Sequence, residues 1–284
     1  MKNTVKRVLL FFLATPALLA AVALLPQANH IVFNLIVVVA AGLAGMEVRT
    51  MFAASRIESG GSPVIAFLAA AALPAAGVVG GFTAASAEIA LATATAVFAL
   101  LLAGAALTTR DGRFEATLPA LAAYAFALLY PGLFALHGVL LTTLPGASIL
   151  IVVFLCSVFL NDSLAYVIGM LFGRGSRAVL AVSPNKSLVG FAGGFVASIL
   201  VMVTAGLLVP KVFPGPLTGH VLFGAVIGVV TILGDLAESA LKRAATVKDS
   251  GQLIPGRGGI LDSADSPLYV APVFFYLYIV IFGG

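Results

Sequence analysis

The segment 242-KRAATVKDSGQLIPGRGGILDSADS-266 gathers four cations, three carboxylates, four glycines and a proline into twenty-five residues. Lys242, Arg243, Lys248 and Arg257 offer positive charge to phosphate oxygens. Pro255, Gly256, Gly258 and Gly259 form a turn whose glycines let backbone N–H groups approach an anion. Asp249, Asp262 and Asp265 add hard oxygen donors. Asp262 and Asp265 stand three apart, so a helix starting there turns both the same way. Cations, a glycine-rich turn and paired acids in one segment describe a site for a nucleotide and magnesium.

Two more polar places lie within apolar runs. In 233-LGDLAESALKR, Asp235, Glu238, Ser239 and Lys242 share one helical face, and two carboxylates on a stripe can hold a hard cation. Glu238 also has the spacing for an internal salt bridge with Lys242, whereas Asp235 has no cation three or four residues away. In 161-NDSLAYVIGMLFG, Asn161 and Asp162 interrupt an apolar helix, and Asp162, Tyr166, Gly169 and Gly173 fall on one narrow stripe. A carboxylate inside a spanning helix is costly and marks a polar interior or a site, the plainer alternative being solvation at the interface.

The elements that must position these residues follow from composition. The chain has 284 residues, 61% hydrophobic and 9% charged, with mean hydropathy +1.16. Soluble domains carry roughly 25% charged residues. The composition excludes a soluble protein and predicts an all-α polytopic membrane protein of about nine transmembrane helices. The spans expected are Val8–Leu25, Ile31–Met46, Pro63–Phe82, Ile89–Leu107, Ala116–Leu136, Ile149–Phe172, Phe191–Val209, Val221–Leu241 and Leu268–Phe282. Pro131-Gly132 interrupts the fifth and leaves its end the least defined. The basic start and Ala20-Ala21 resemble a signal peptide, but the apolar run is too long for one and is taken as the first span.

With the N-terminus in the cytoplasm, Lys2, Lys6, Arg7, Arg49, Arg56, Arg110, Arg113, Arg174, Arg177, Lys186, Lys242, Arg243, Lys248 and Arg257 all face that side. Only Lys211 of the 15 Lys and Arg residues faces the other, as the positive-inside rule asks. The location expected is the bacterial inner membrane, with the polar segment on its cytoplasmic side. The net charge of +4 reflects this asymmetry and gives no sign of nucleic-acid binding. Cys156 stands alone in an apolar run, which excludes a disulfide framework. The chain divides near residue 145. Residues 1–145 read as scaffold helices, with Glu47, Glu58, Glu88, Asp111 and Glu115 as ordinary interfacial residues; residues 146–284 carry the chemistry.

The stretch 239-SALKRAATVKDSGQLIPGRGGILDSADS resembles the signature of the CDP-diacylglycerol synthases, or phosphatidate cytidylyltransferases. That signature runs Ser-x-apolar-Lys-Arg, Lys-Asp, Pro-Gly-His-Gly-Gly, an apolar pair and Asp-Arg-x-Asp. The segments 161-NDSLAY and 183-SPNKSLVGFAGG resemble two further pieces of the family, so the likeness runs from Asn161 to Ser266. Arg257 stands where the family has His, Ser263 where it has Arg, and Val189 where it has Glu. The cation missing at 263 has a counterpart at 257.

The resemblance implies transfer of CMP from CTP to phosphatidate in the bilayer, giving CDP-diacylglycerol and pyrophosphate. It further implies a homodimer. Asp235, Asp262 and Asp265 would hold magnesium, with room for a second, monovalent ion. Lys242, Arg243, Lys248 and Arg257 would hold the remaining phosphate charge. Asp249 joins the catalytic set. Asn161, Asp162, Tyr166, Ser183, Lys186, Ser187, Glu238, Ser239, Pro255, Gly256, Gly258 and Gly259 would complete substrate binding. Three rival readings are a transferase for another lipid phosphate, a divergent inactive homologue, and a secondary transporter using Asp162, Asp235 and Glu238 as an ion relay.

Overall fold

The structure is a computed structural model that describes residues 15–55, 61–83, 86–108, 114–176 and 180–283. Lys2, Lys6, Arg7, Arg56, Glu58, Arg110, Asp111, Arg113 and Arg177 lie outside the described residues, as does the first part of the Val8–Leu25 span. Helices α1 (Thr15–Leu24), α2 (Gln27–Ala54), α3 (Pro63–Gly81), α4 (Ser86–Thr108) and α5 (Thr117–Thr143) come first. They are followed by α6 (Ala147–Phe172), α7 (Leu188–Leu208), α8 (Leu217–Ala244) and α9 (Leu261–Phe282). Helices α2 to α9 are eight segments long and apolar enough to cross a bilayer. Among the described residues, extended pairing is confined to a bridge between Ile254 and Gly258. An integral membrane protein takes this form because a helix satisfies its backbone N–H and C=O groups within itself, where no water can.

The eight spans correspond to the second through ninth runs expected from hydropathy. The fifth run differs. It continues past Leu136 to Thr143, and a π-helical turn over Leu128–Leu133 takes up Pro131 instead of ending the span. Proline has no N–H to donate, and the wider turn re-routes the neighbouring bonds without breaking the helix.

The chain forms two compact units. The first comprises Met1–Thr143 with Leu241–Ala264, and the second Leu144–Ala240 with Asp265–Gly284. The first unit has a core of Ala69, Leu73, Leu128 and Leu136, against which Ala90, Ala94, Val97, Leu133 and Leu140 pack. Buried Asn34 fixes the register of α2 there. It donates from Nδ2 to Thr142 Oγ1 at 3.2 Å and to the Asn29 carbonyl at 2.7 Å.

The second unit is held by aromatic contacts. Phe274 meets Phe154 and Phe223 edge-on, with ring centroids 5.3 and 5.0 Å apart. Helices α6 and α7 lie close because glycines face α6. A Cβ placed on Gly194 would come within 2.6 Å of Asn161 Oδ1. Small residues of this kind let membrane helices approach where no hydrophobic force draws them together.

Candidate active site

In the first unit, the signature segment is organised around two carboxylates. Lys242 ends α8 and donates from Nζ to Asp262 Oδ1 at 2.7 Å. Asp262 Oδ2 accepts from Gly259 N at 2.7 Å, Ser250 N at 2.8 Å and Ser250 Oγ at 2.9 Å. Glu47, reaching in from α2, shares through its Oε2 the one Ser250 hydroxyl proton with Asp262 Oδ2, each oxygen lying 2.9 Å from Oγ, and accepts from the Ile260 and Leu261 N–H groups at 2.8 Å each. These are the orphan donors at the start of α9, so Glu47 caps that helix from a distant part of the chain. Its charge also meets the positive end of the helix dipole.

Glu47 is therefore more than the ordinary interfacial residue expected: it is 7% exposed and tied to the signature segment. Ser250, also buried, stands between the two acids. The obstacle to finding the pair in the sequence is distance along the chain. Glu47 lies beside Arg49 near the end of an apolar run, where an acid reads as a boundary residue.

The glycine-rich turn is tight. Ile254 O accepts from Arg257 N and Gly258 N, both at 3.1 Å, and Gly256 has φ 82°. With Pro255 before it, Gly256 occupies the position of a type II turn that requires positive φ. The N–H groups expected to face a bound anion are instead donated within the protein, to Ile254 O, Asp262 and Glu47. Gly251 and Gly259 have a different reason to be glycine. A Cβ on Gly251 would sit 2.6 Å from Glu47 Oε1, and one on Gly259 would also run into that carboxylate.

In the second unit, Asp162 lies within the fields of Asp265, Asp235 and Lys186. Lys186 and Asp235 form an ion pair, with side chains 24% and 33% exposed. Asp265 Oδ1 accepts from Ser266 N at 2.7 Å. Glu238 and Ser239 are buried on α8, Glu238 completely. Asp235, Asp265 and Lys186, carried by α8, α9 and the turn before α7, thus lie within electrostatic reach of Asp162 on α6.

Other expected site residues serve the packing of this unit. Asn161, 1% exposed, donates to Ser198 Oγ at 2.9 Å and to Gly228 O at 3.4 Å. Ser187 caps α7, its hydroxyl accepting from Gly190 N at 3.1 Å. Gly169 and Gly173 face that same hydroxyl. Tyr166 is 68% exposed.

Arg243, Lys248, Asp249 and Pro255 lie exposed on the first unit, with Arg257 and Gly258 half-buried. Ser183 is half-buried in the second. Of the three departures from the family pattern, Val189 is exposed and Ser263 is half-buried, its hydroxyl 3.4 Å from Gly259 O. Among the described residues, no three His, Cys, Asp or Glu side chains are close enough together to form a ready-made metal site.

Comparison with known proteins converges on one family. The chain is 36% identical over 165 residues to the phosphatidate cytidylyltransferase of Thermotoga maritima, covering 57% of this chain and 60% of that one. It is 45% identical over 117 residues to the phosphatidate cytidylyltransferase of Bacillus subtilis, covering 41% and 42%. It is 38% identical over 135 residues to the Escherichia coli uncharacterized protein YnbB, covering 48% and 44%. The matches thus span about half the length of these relatives. The family model runs much further, from residue 5 to residue 282, and on that match the chain belongs to the cytidylyltransferase family.

Proposed function

We propose that this protein is a phosphatidate cytidylyltransferase, which moves CMP from CTP to phosphatidate and forms CDP-diacylglycerol and pyrophosphate. A phosphatidate oxygen bonds to the α-phosphorus of CTP as the bond from that phosphorus to the pyrophosphate oxygen breaks. The attacking phosphate is already ionised at neutral pH, so no general base is needed. Holding two anions together is the task, and it falls to positioned positive charge. The observation that carries this reading is Lys242, fixed against Asp262 at the head of a segment whose other cations, Arg243, Lys248 and Arg257, are exposed or half-buried. The cation distribution along the chain supports a cytoplasmic side for that chemistry, where CTP is found.

The acids of the second unit have the donor chemistry for magnesium, though they form no ready-made three-ligand cluster among the described residues. Asp162, Asp235 and Asp265 offer hard oxygens in excess over Lys186, and Asp235 already holds a cation, the Lys186 ammonium. Asp235 and Asp265 would hold the metal. When bound, it would withdraw charge from the nucleotide phosphates and ease departure of pyrophosphate. Asp262 Oδ2 is occupied by Gly259 N, Ser250 N and Ser250 Oγ, so ligation by Asp262 would use Oδ1, which accepts only from Lys242.

The test is purified protein in phosphatidate-containing mixed micelles with α-labelled CTP and magnesium. Labelled CDP-diacylglycerol and pyrophosphate in equal amounts are expected, and the Asp235→Asn variant should form neither. No labelled lipid from the wild type, or full turnover by the variant, refutes the reading. Product from an isoprenoid phosphate but not from phosphatidate replaces the acceptor.

A further inference from the structure

We infer that Glu47 is a positioning residue for the transfer reaction proposed above: it locks residues 250–262 in the conformation that brings Lys242 to Asp262. The inference deepens that reading, and rests on it for the reaction alone. Glu47 sits on α2 among buried Ala41, Gly42, Ala44, Gly45, Val48 and Met51, an unfavourable setting for a carboxylate. Its hydrogen bonds account for its presence there. All three donors to it come from the signature segment: Ser250 Oγ, Ile260 N and Leu261 N.

An acceptor-only group suits that position, because a side-chain amide would turn N–H groups toward N–H groups. The segment is shaped to match. Gly251 and Gly259 leave the space the carboxylate fills.

Ser250 transmits the hold. Its hydroxyl lies 2.9 Å from Glu47 Oε2 and 2.9 Å from Asp262 Oδ2, and Asp262 in turn holds the Lys242 ammonium at 2.7 Å. The path from Glu47 to the first cation of the segment is therefore Glu47, Ser250, Asp262, Lys242. Glu47 touches no cation along it, so it acts through the loop. Its loss should affect the nucleotide that the loop cations hold and spare the lipid.

The experiment compares Glu47→Gln and Ser250→Ala with the wild type, full-length and in nanodiscs. Amide exchange is measured over 249–262 and over α6 and α7, together with steady-state kinetics in CTP and in phosphatidate. In Glu47→Gln, exchange over 249–262 should rise at least ~10-fold while α6 and α7 stay unchanged. The kcat/KM for CTP should fall about 10- to 100-fold, with KM for phosphatidate within about twofold of wild type. Ser250→Ala, which leaves the Ile260 and Leu261 bonds in place, should move the same way by less. Unchanged exchange over 249–262 overturns the inference, as does a rise spread evenly over the chain or a parallel rise in both KM values. If Glu47→Gln does not fold, Ser250→Ala carries the same comparison. If the wild type turns over no CTP, the proposed reaction falls while the exchange result still decides the lock.

Discussion

Asp262→Asn is the substitution whose consequence the structure fixes most closely. The native carboxylate accepts from Lys242 Nζ on Oδ1, and from Gly259 N, Ser250 N and Ser250 Oγ on Oδ2. An asparagine can keep its carbonyl on the three-donor side, which leaves its NH2 facing the Lys242 ammonium. The side chains are 14% and 6% exposed for Lys242 and Asp262, so water screens the pair poorly. Breaking one partner of a buried pair costs about 3–5 kcal/mol. Lys242 can swing partly into solvent, so about 2–4 kcal/mol is expected here.

Since each 1.36 kcal/mol is tenfold, opening of the Ser250 and Gly259 amides should speed up about 30- to 1000-fold. Turnover of CTP should be lost. Lys242→Met removes the charge that the new amide would face, so the double variant should cost less than the two single variants summed, by about 1–3 kcal/mol. Amide exchange on the four proteins reads the cycle. Single effects that add to within about 0.5 kcal/mol would show that the Lys242–Asp262 pair does not hold the segment.

Arg257→Ala should lower kcat/KM for CTP about 10- to 100-fold by removing a charged phosphate contact, with the melting temperature unchanged; an unaltered kcat/KM refutes that role. Gly194→Ala puts a Cβ 2.6 Å from Asn161 Oδ1, and should destabilise the protein by about 1–3 kcal/mol in thermal unfolding. Gly104→Ala is the control: nothing lies within 4 Å of its added Cβ, and replacing a helical glycine should be neutral or stabilising by about 1 kcal/mol or less.

The spans were legible because bilayer thickness demands long apolar runs, a property local to each stretch of chain. Continuation of α5 through Pro131 was not, since a π turn is a compromise made with neighbouring helices. The signature segment could be picked out by its polarity, and the two residues singled out there, Lys242 and Asp262, are hydrogen-bonded to each other. Its anchor could not be found that way. Glu47 is 203 residues from Ser250 and 214 from Leu261, and no periodicity links such positions. Asn161 and Ser187 show the reverse difficulty. Residue type alone does not show that Asn161, in an apolar run, ties α6 to Ser198, or that Ser187, in a polar loop, caps α7.

Glycine-rich loops next to cations invite comparison with backbone anion cradles, and the hydrogen bonds of this one argue for another division of labour. From Arg257 to Ala264, every main-chain N–H donates inside the protein: to Ile254 O, Asp262, Glu47, Ser250 Oγ or Ile260 O. The loop's backbone already serves two anions of its own, and serving a third would require undoing those bonds. Under the proposed function, recognition of a triphosphate would then fall to side chains, and Arg243 and Lys248, which are exposed, and half-buried Arg257 are the candidates for it. Gly251 and Gly259 give Glu47 room to hold the segment, whose cations Arg243 and Lys248 are exposed.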